Sequence, residues 1–269
     1  MDRWPVMKCV VCENKKVSPL WRELKIVKCD CGHIYYDQNL SKNQIAEIYT
    51  GSYFNGGEYS DYLTDKDVIR KNFLARLKTL KRFQKKGDLL EIGSAYGFFL
   101  DVAQGQFNVE GYEICTEAAT YASTTLGLKV YNADFLEANL NKKYDAVCMF
   151  DCIEHLTRPD KFIEKISGCL KQNGHLLITT GDIGKIVPKI RGKKWRLIHP
   201  PTHIHYFSFD SLKKLLEKNG LTVVSKKYPG VYRSFNLLFT FLLKRRVTSL
   251  PGFFWFNSFD IMEVVAVKS

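Results

Sequence analysis

The chain has 269 residues, of which 45% are apolar, 25% charged and 13% aromatic, so disordered and fibrous classes are excluded. That length suits one large α/β domain with an appended module, or two small domains. The formal charge of +12 is uneven: residues 1–86 carry 17 basic and 10 acidic side chains, residues 87–180 carry 7 and 13, and residues 181–269 carry 16 and 5. An acidic centre between basic flanks is expected where the centre handles a cationic ligand and the flanks meet something anionic. The start, MDRWPVMKCVVC, lacks the apolar stretch of a signal peptide. The longest apolar run, Phe235 to Leu243, is far short of the roughly 18 to 20 residues that span a bilayer, so a cytoplasmic chain without a transmembrane segment is expected.

In chain order, Cys9-x2-Cys12 and then Cys29-Asp30-Cys31-Gly32 place four thiolates on two short knuckles, the donor set of a closed tetrahedral zinc site. Four protein ligands leave no open coordination position, so the expected zinc is structural. The second knuckle has one spacer residue where two are usual, and His33 is an alternative to Cys31 as fourth ligand. The other cysteines, Cys115, Cys148, Cys152 and Cys169, lie in apolar or helical stretches and read as buried thiols. Ser41 to Gln44 is a capping-box pattern opening a short helix through Tyr49. The Gly- and Tyr-rich residues 51–63 follow, then an amphipathic helix with Ile69, Phe73, Leu77 and Leu80 on one side and basic residues, Arg76 among them, elsewhere, stopped by Gly87.

From Asp88 strands and helices alternate. DLLEIG, FNVEGYEI, LKVYNADF, YDAVCMFD and GHLLITTG read as strands, and GFFLDVAQG, TEAATYASTTLG and PDKFIEKISGCLK as helices. This order implies a doubly wound α/β sheet with ligands at the strand C-termini. The first strand-to-helix turn runs Glu91-Ile92-Gly93-Ser94-Ala95-Tyr96-Gly97, and Glu113 closes the second strand. A dinucleotide would meet Phe98 where the third glycine of its fingerprint belongs, and Glu91 would oppose its pyrophosphate. A ligand carrying an ammonium suits Glu91, and the glycines admit it closely.

The series LLEIGSAYG, GYEI, NADF, FDCIEHL and NGHLLITT resembles that of class I S-adenosylmethionine (SAM) methyltransferases over roughly residues 65 to 269. The resemblance implies a Rossmann-like class I methyltransferase sheet carrying a small N-terminal zinc ribbon. It divides the chain into a ribbon (1–40), a helical linker or substrate cap (41–86) and a SAM-dependent domain (87–269) with a lid insertion at 181–207. By position, Glu91 faces the ammonium, Gly93, Ala95 and Gly97 flank the methionine portion, Glu113 takes the ribose hydroxyls, Asp134 with Phe135 reads the adenine, and Phe150 or Asp151 lines the far wall. Tyr96 and Ile114 complete the implied cofactor-binding set. Ala95 stands where the family has its middle glycine.

Ribbon, Tyr-rich segment and PPTHIHYFSF together resemble a bacterial branch acting on sugars and other small metabolites, which implies a role in carbohydrate biosynthesis. The chain stops before the further C-terminal domain of that branch's C-methylating members, so oxygen is expected ahead of nitrogen or carbon as acceptor. Asp151, Glu154 and His155 are similar to the acidic pair plus His of small-molecule O-methyltransferases, in some of which a divalent cation takes part. His155 is expected as base or proton relay; His203 and Tyr206 are the next catalytic candidates. Lys189, Arg191, Lys193, Lys194 and Arg196 suit the phosphate of a nucleotide-linked or phosphorylated sugar. DNA is not an expected partner. RNA methylation and an inactive SAM-fold binding module are the alternatives. Against the first, the Asn/Asp-Pro-Pro-aromatic motif of base-amine methylation is replaced by FDCIEH. Finally, Ser208 caps a helix ending at Gly220, LTVVSKKY and IMEVVAVKS form the last strands, and the apolar, basic stretch 235–256 is read as an inserted helix, a dimer face or an interfacial patch.

Overall fold

The computed structural model describes residues 7–38, 40, 41, 44, 48, 62–236, 239 and 252–269. Ser41 and Gln44 exchange the reciprocal bonds of a capping box: Ser41 N donates to Gln44 Oε1 at 2.9 Å and Gln44 N to Ser41 Oγ at 3.3 Å. The rest of the helix expected there lies outside the described residues, as do nearly all of the Tyr-rich stretch and most of residues 235–251.

The N-terminal module is an antiparallel sheet of β1 (Val17–Trp21), β2 (Ile26–Cys29) and β3 (Ile34–Tyr36). Its fourth strand comes from far along the chain: β9 (His205–Tyr206), inside the expected lid, pairs with β3. Helix α1 (Lys66–Leu80) follows and ends seven residues before Gly87. Gly87 opens β4 instead, at φ 123° and with no room for a Cβ beside the Asp145 carboxylate, so it belongs to the strand and does not stop the helix. Arg76 is also placed otherwise than its charge suggests. It is buried on α1 and donates to Glu263 Oε2 at 2.8 Å.

The main sheet contains β4 (Gly87–Ile92), β5 (Phe107–Glu113), β6 (Val130–Asn132), β7 (Tyr144–Phe150), β8 (Leu170–Gly181), β10 (Leu221–Lys227) and β13 (Ile261–Lys268), in the order β10-β13-β8-β7-β4-β5-β6. All neighbours are parallel except β13, antiparallel to β8 and β10. The order reverses between β4 and β7, where a crevice opens at the strand C-termini. Helices α2 (Phe98–Ala103), α3 (Thr116–Thr124), α4 (Pro159–Cys169) and α6 (Phe209–Lys218) complete the α/β alternation, with α5 (Ile186–Arg191) in the segment between β8 and β9.

Both sheet faces are covered, which explains the unbroken apolar strands. Leu89, Ala146, Cys148 and Leu177 pack with Leu77, Leu80, Phe99 and Leu100 of α1 and α2. Leu90, Ile92, Val147 and Met149 pack with Ile163 and Ile166 of α4 and Leu212 and Leu216 of α6, a core that extends into the ribbon through Val10, Val27 and Tyr35. The Ser208 cap is present: its Oγ accepts from Ser211 N at 3.2 Å. The end of the apolar stretch is extended, as β12 (Phe253–Phe256) paired with β11 (Val231–Ser234). Among the described residues no helix is long and apolar enough to cross a membrane.

Candidate active site

The C-terminus of β4 turns through Gly93 at φ 72°, Ala95 at φ 47° and Gly97 at φ 78° before α2 begins. Gly93 is needed twice over. Its backbone is left-handed, and a Cβ there would stand 2.8 Å from Cys152 Sγ. The β4 turn and the loop after β7 are therefore in contact at this point. Ala95 adopts the left-handed region with a side chain present, at a cost of about 1 kcal/mol, and such strain is commonly held at functional turns.

Two buried carboxylates close the turn from below. Glu113, last residue of β5, accepts from Ala95 N at 2.8 Å and from Cys115 N at 2.7 Å, so it fixes both the β4 and the β5 turns. Burial raises its carboxyl, and those amides oppose the shift. Glu91 is buried beside it; burial first, and then the charge of Glu113, push its carboxyl well above the usual range. Glu91 Oε2 and Ser94 Oγ are buried without a protein hydrogen-bond partner among the described residues. Such groups are costly unless something satisfies them. Cys152 lies between these acids and those of the next loop: burial and the charges of Glu154, Glu113, Glu91 and Asp151 all push its thiol up. Acids at the ends of β4 and β5 and in the loop after β7 therefore act on the same thiol.

Other residues of the expected cofactor set are distributed around this crevice. Asp134, after β6, accepts from Leu136 N at 2.8 Å and holds its loop. The ring of Phe135 is core, edge-on to Tyr112 and tilted against Phe162. Tyr96 contributes backbone to the turn, while its ring stacks on Tyr62 and Phe98 and its hydroxyl donates to Glu117 at 2.9 Å. Ile114 is exposed after β5, and Phe150 packs on Phe73 and Phe99. Asn132 was not expected from sequence. Its amide donates to the carbonyls of Glu113 and Ile114 at 3.0 and 3.1 Å, tying the end of β6 to the β5 turn.

Beyond β7 the second group assembles. Asp151, exposed and at φ 46°, accepts from Thr179 Oγ1 at 3.0 Å. Glu154 is buried and accepts from Thr180 Oγ1 at 2.9 Å. The His155 ring lies 4.4 Å from that of His203, edge to face, and His203 lies 3.9 Å from His199. His155 Nδ1 is 2.9 Å from Thr202 O and His203 Nδ1 is 3.0 Å from Leu197 O, so each ring is oriented by a backbone carbonyl. Burial pushes His155 down to about 4 and lowers His203 further, so both are neutral imidazoles at neutral pH. The potential ligand atoms of Glu154, His155 and His203 lie within 4.8 Å of one another, so the set that could hold a cation includes the lid His203 in place of Asp151. Tyr206 stands apart from this group. It is buried in the ribbon sheet, and its hydroxyl donates to His203 O at 2.7 Å, where it braces the loop.

In the ribbon, the sulfurs of Cys9, Cys12, Cys29 and Cys31 lie within 4.8 Å of one another. Cys9 to Cys31 is 3.7 Å and Cys12 to Cys29 is 3.5 Å. A tetrahedron with metal–sulfur bonds of about 2.3 Å has edges of about 3.8 Å, whereas a disulfide needs about 2.05 Å. The four thiols are therefore compatible with a zinc ribbon. His33 is not part of this cluster: it is buried with Nε2 3.0 Å from His205 Nδ1.

The model of the family described as "Methyltransferase domain" matches residues 64–226, more than half of the chain. A search of curated proteins finds no match. Among solved structures, the chain is similar to a SAM-dependent, possible histamine N-methyltransferase from Thermotoga maritima, with 17% identity and a TM-score of 0.55 over 80% of this chain and 96% of that one. It is similar also to the magnesium protoporphyrin IX methyltransferase of Synechocystis PCC 6803 with bound S-adenosylhomocysteine, with 15% identity and a TM-score of 0.54 over 84% and 99%. These identities speak for the fold alone. Together with the family match and the strand order, they establish that the chain belongs to the methyltransferase-domain family and has the class I SAM-dependent fold.

Proposed function

We propose that the protein transfers a methyl group from SAM to an oxygen of a sugar or another small anionic metabolite. One observation carries the donor half: Glu91 and Glu113 are both buried at the β4 turn, and Glu91 Oε2 has no hydrogen-bond partner among the described residues. An ammonium on the methionine arm of a sulfonium donor gives the Glu91 carboxylate a counter-charge, and a pyrophosphate would oppose it. When bound, SAM supplies an electrophilic methyl carbon. Glu91 faces its ammonium, Glu113 retains lone pairs for the ribose diol, and Asp134 borders the adenine.

For the acceptor half, displacement at that carbon requires a hydroxyl held in line and a group to take its proton. His155 and His203 are neutral and stand beside the Glu154 carboxylate, which supports their reading as proton acceptor and relay. The oriented imidazoles and Glu154 would also hold a divalent cation against the acceptor oxygen. In the ribbon we assign zinc to Cys9, Cys12, Cys29 and Cys31, in a structural role.

The test is incubation with methyl-labelled SAM and a panel of free, phosphorylated and nucleotide-linked sugars, together with total RNA. An O-methylated small product, lost in His203→Ala while SAM binding persists, is the expected result. Label in RNA alone would replace this reading with RNA methylation, and failure to bind SAM would leave an inactive module.

A further inference from the structure

The segment between β8 and β9, whose cations the sequence suggests for an acceptor phosphate, carries a second feature. Between residues 185 and 196 there are six cations, Lys185, Lys189, Arg191, Lys193, Lys194 and Arg196, and no acidic residue. The fold fastens this segment at one end to Tyr228, just after β10, and at the other to Asp260, in the loop that follows β12. At one end Asp182 accepts from Tyr228 Oη at 2.7 Å, Lys185 lies 4.3 Å over the Tyr228 ring, and Asn257 donates to Tyr228 O at 3.0 Å. At the other, Trp195 Nε1 and Arg196 donate to Asp260 at 2.7 and 2.9 Å.

Held this way, α5 lies next to the loop that carries Asp260, and its isoleucines point out of the protein: Ile186 and Ile190 are 72% and 80% exposed, and Phe259, the residue before Asp260, is 60% exposed. Pro188 and Trp195 are the buried anchors, so the outward isoleucines follow from a fixed orientation of the helix. Of the cations, Lys193 pairs with Glu23 and Arg196 with Asp260, whereas Lys189, Arg191 and Lys194 are exposed and have no anionic partner among the described residues.

We propose that this surface docks on an anionic bilayer. Exposed isoleucine and phenylalanine side chains prefer the boundary between headgroups and acyl chains, and the unpaired cations on and beside α5 meet lipid phosphates. A second copy is disfavoured as occupant by the charge of +12 that each chain would bring to the contact. A nucleic acid would use the cations and leave Ile186 and Ile190 in water. The attachment is peripheral, resting on side chains at the surface.

The experiment is co-sedimentation of the full chain with vesicles of phosphatidylcholine alone and of phosphatidylcholine mixed with phosphatidylglycerol, at low and high salt. Wild type should pellet with the mixed vesicles only, and less so as salt rises. Lys189→Glu with Lys194→Glu, and separately Ile190→Ser with Phe259→Ser, should each weaken that binding by about tenfold. These positions are exposed, and unchanged thermal unfolding would verify the fold of each variant. Wild type staying in the supernatant with mixed vesicles would overturn the proposal. So would binding that ignores both variants, a dimer that either variant dissociates, or RNA binding that the variants abolish without any change in vesicle partition.

Discussion

Replacing Glu91 with Gln keeps the shape of the side chain and removes the charge, so its two effects have opposite signs. Without a cationic ligand, the buried carboxyl has a raised affinity for its proton, caused by burial and then by Glu113. The folded state therefore binds more protons than the unfolded one at pH values between the ordinary carboxylate range and the raised value. Stability falls as pH rises through that window and then levels off. Glu91→Gln should flatten the fall and give a more stable apo protein at neutral pH. For donor binding the order reverses: an ammonium against Glu91 restores the carboxylate, so binding expels a proton and tightens with pH. Loss of one charge-assisted hydrogen bond costs about 1.5 to 3 kcal/mol, or about ten- to a hundredfold in Kd. Calorimetry with SAM in buffers of different ionisation enthalpy reads both affinity and proton release, and a thermal melt of the apo protein reads the first effect. A Glu91→Gln protein that binds SAM as tightly as wild type, with the same proton release, would refute the assignment of Glu91 to the ammonium.

Three other substitutions probe the supports. Ala95→Gly should relieve the left-handed strain at φ 47°, and after the extra unfolded-state entropy of glycine a gain of about 0.5 kcal/mol should remain as a raised Tm; a lowered Tm would show that the methyl group is packed. Arg76→Ala should cost about 3 kcal/mol in urea denaturation, because Glu263 would keep only Lys227, 2.8 Å away and half-exposed, as counter-charge. Cys9→Ser should lose bound metal and lower turnover more than SAM affinity, since Cys9 lies in the ribbon and the donor residues lie on β4 and β5; full metal content by elemental analysis would make the thiols bystanders.

The sheet was legible because its strands are buried on both faces and its turns are short, so apolar runs and glycines mark nearly every boundary. The placement of Glu91, Gly93 and Glu113 was legible for the same reason: they sit at strand ends, where position along the chain determines position in space. The acceptor side was only partly so. His155 and His203 are 48 positions apart in the sequence, and nothing local indicates that their rings meet at 4.4 Å. Tyr206 is a candidate through its place in the PPTHIHYF pattern, and in the structure its hydroxyl donates to the His203 carbonyl. Arg76 looked solvent-facing because its partner, Glu263, comes near the end of the chain. Long-range pairing of polar groups leaves no periodic trace, so these are the places where pattern fails.

The position of His203 also gives the four-cysteine module a structural role on this fold. A segment of about forty residues buries little apolar surface by itself, and a metal on Cys9, Cys12, Cys29 and Cys31 would supply the missing constraint. Here the ordered module is used as a fixed edge. Tyr36 N donates to Ile204 O at 2.8 Å, and Ile204 N donates to Glu154 O at 2.9 Å, so one residue joins the ribbon sheet to the loop after β7. His33 contacts His205 one residue further on, and Tyr206 holds His203 O from the other side. His203 is thus clamped from both neighbours, and its ring can reach His155 only while β9 stays paired to β3. A long segment left to itself would sample many conformations and hold the two imidazoles together only part of the time. Pairing it with the edge of a four-cysteine sheet removes that entropy in advance, and the proposed placement of an acceptor hydroxyl beside these imidazoles requires such preorganisation.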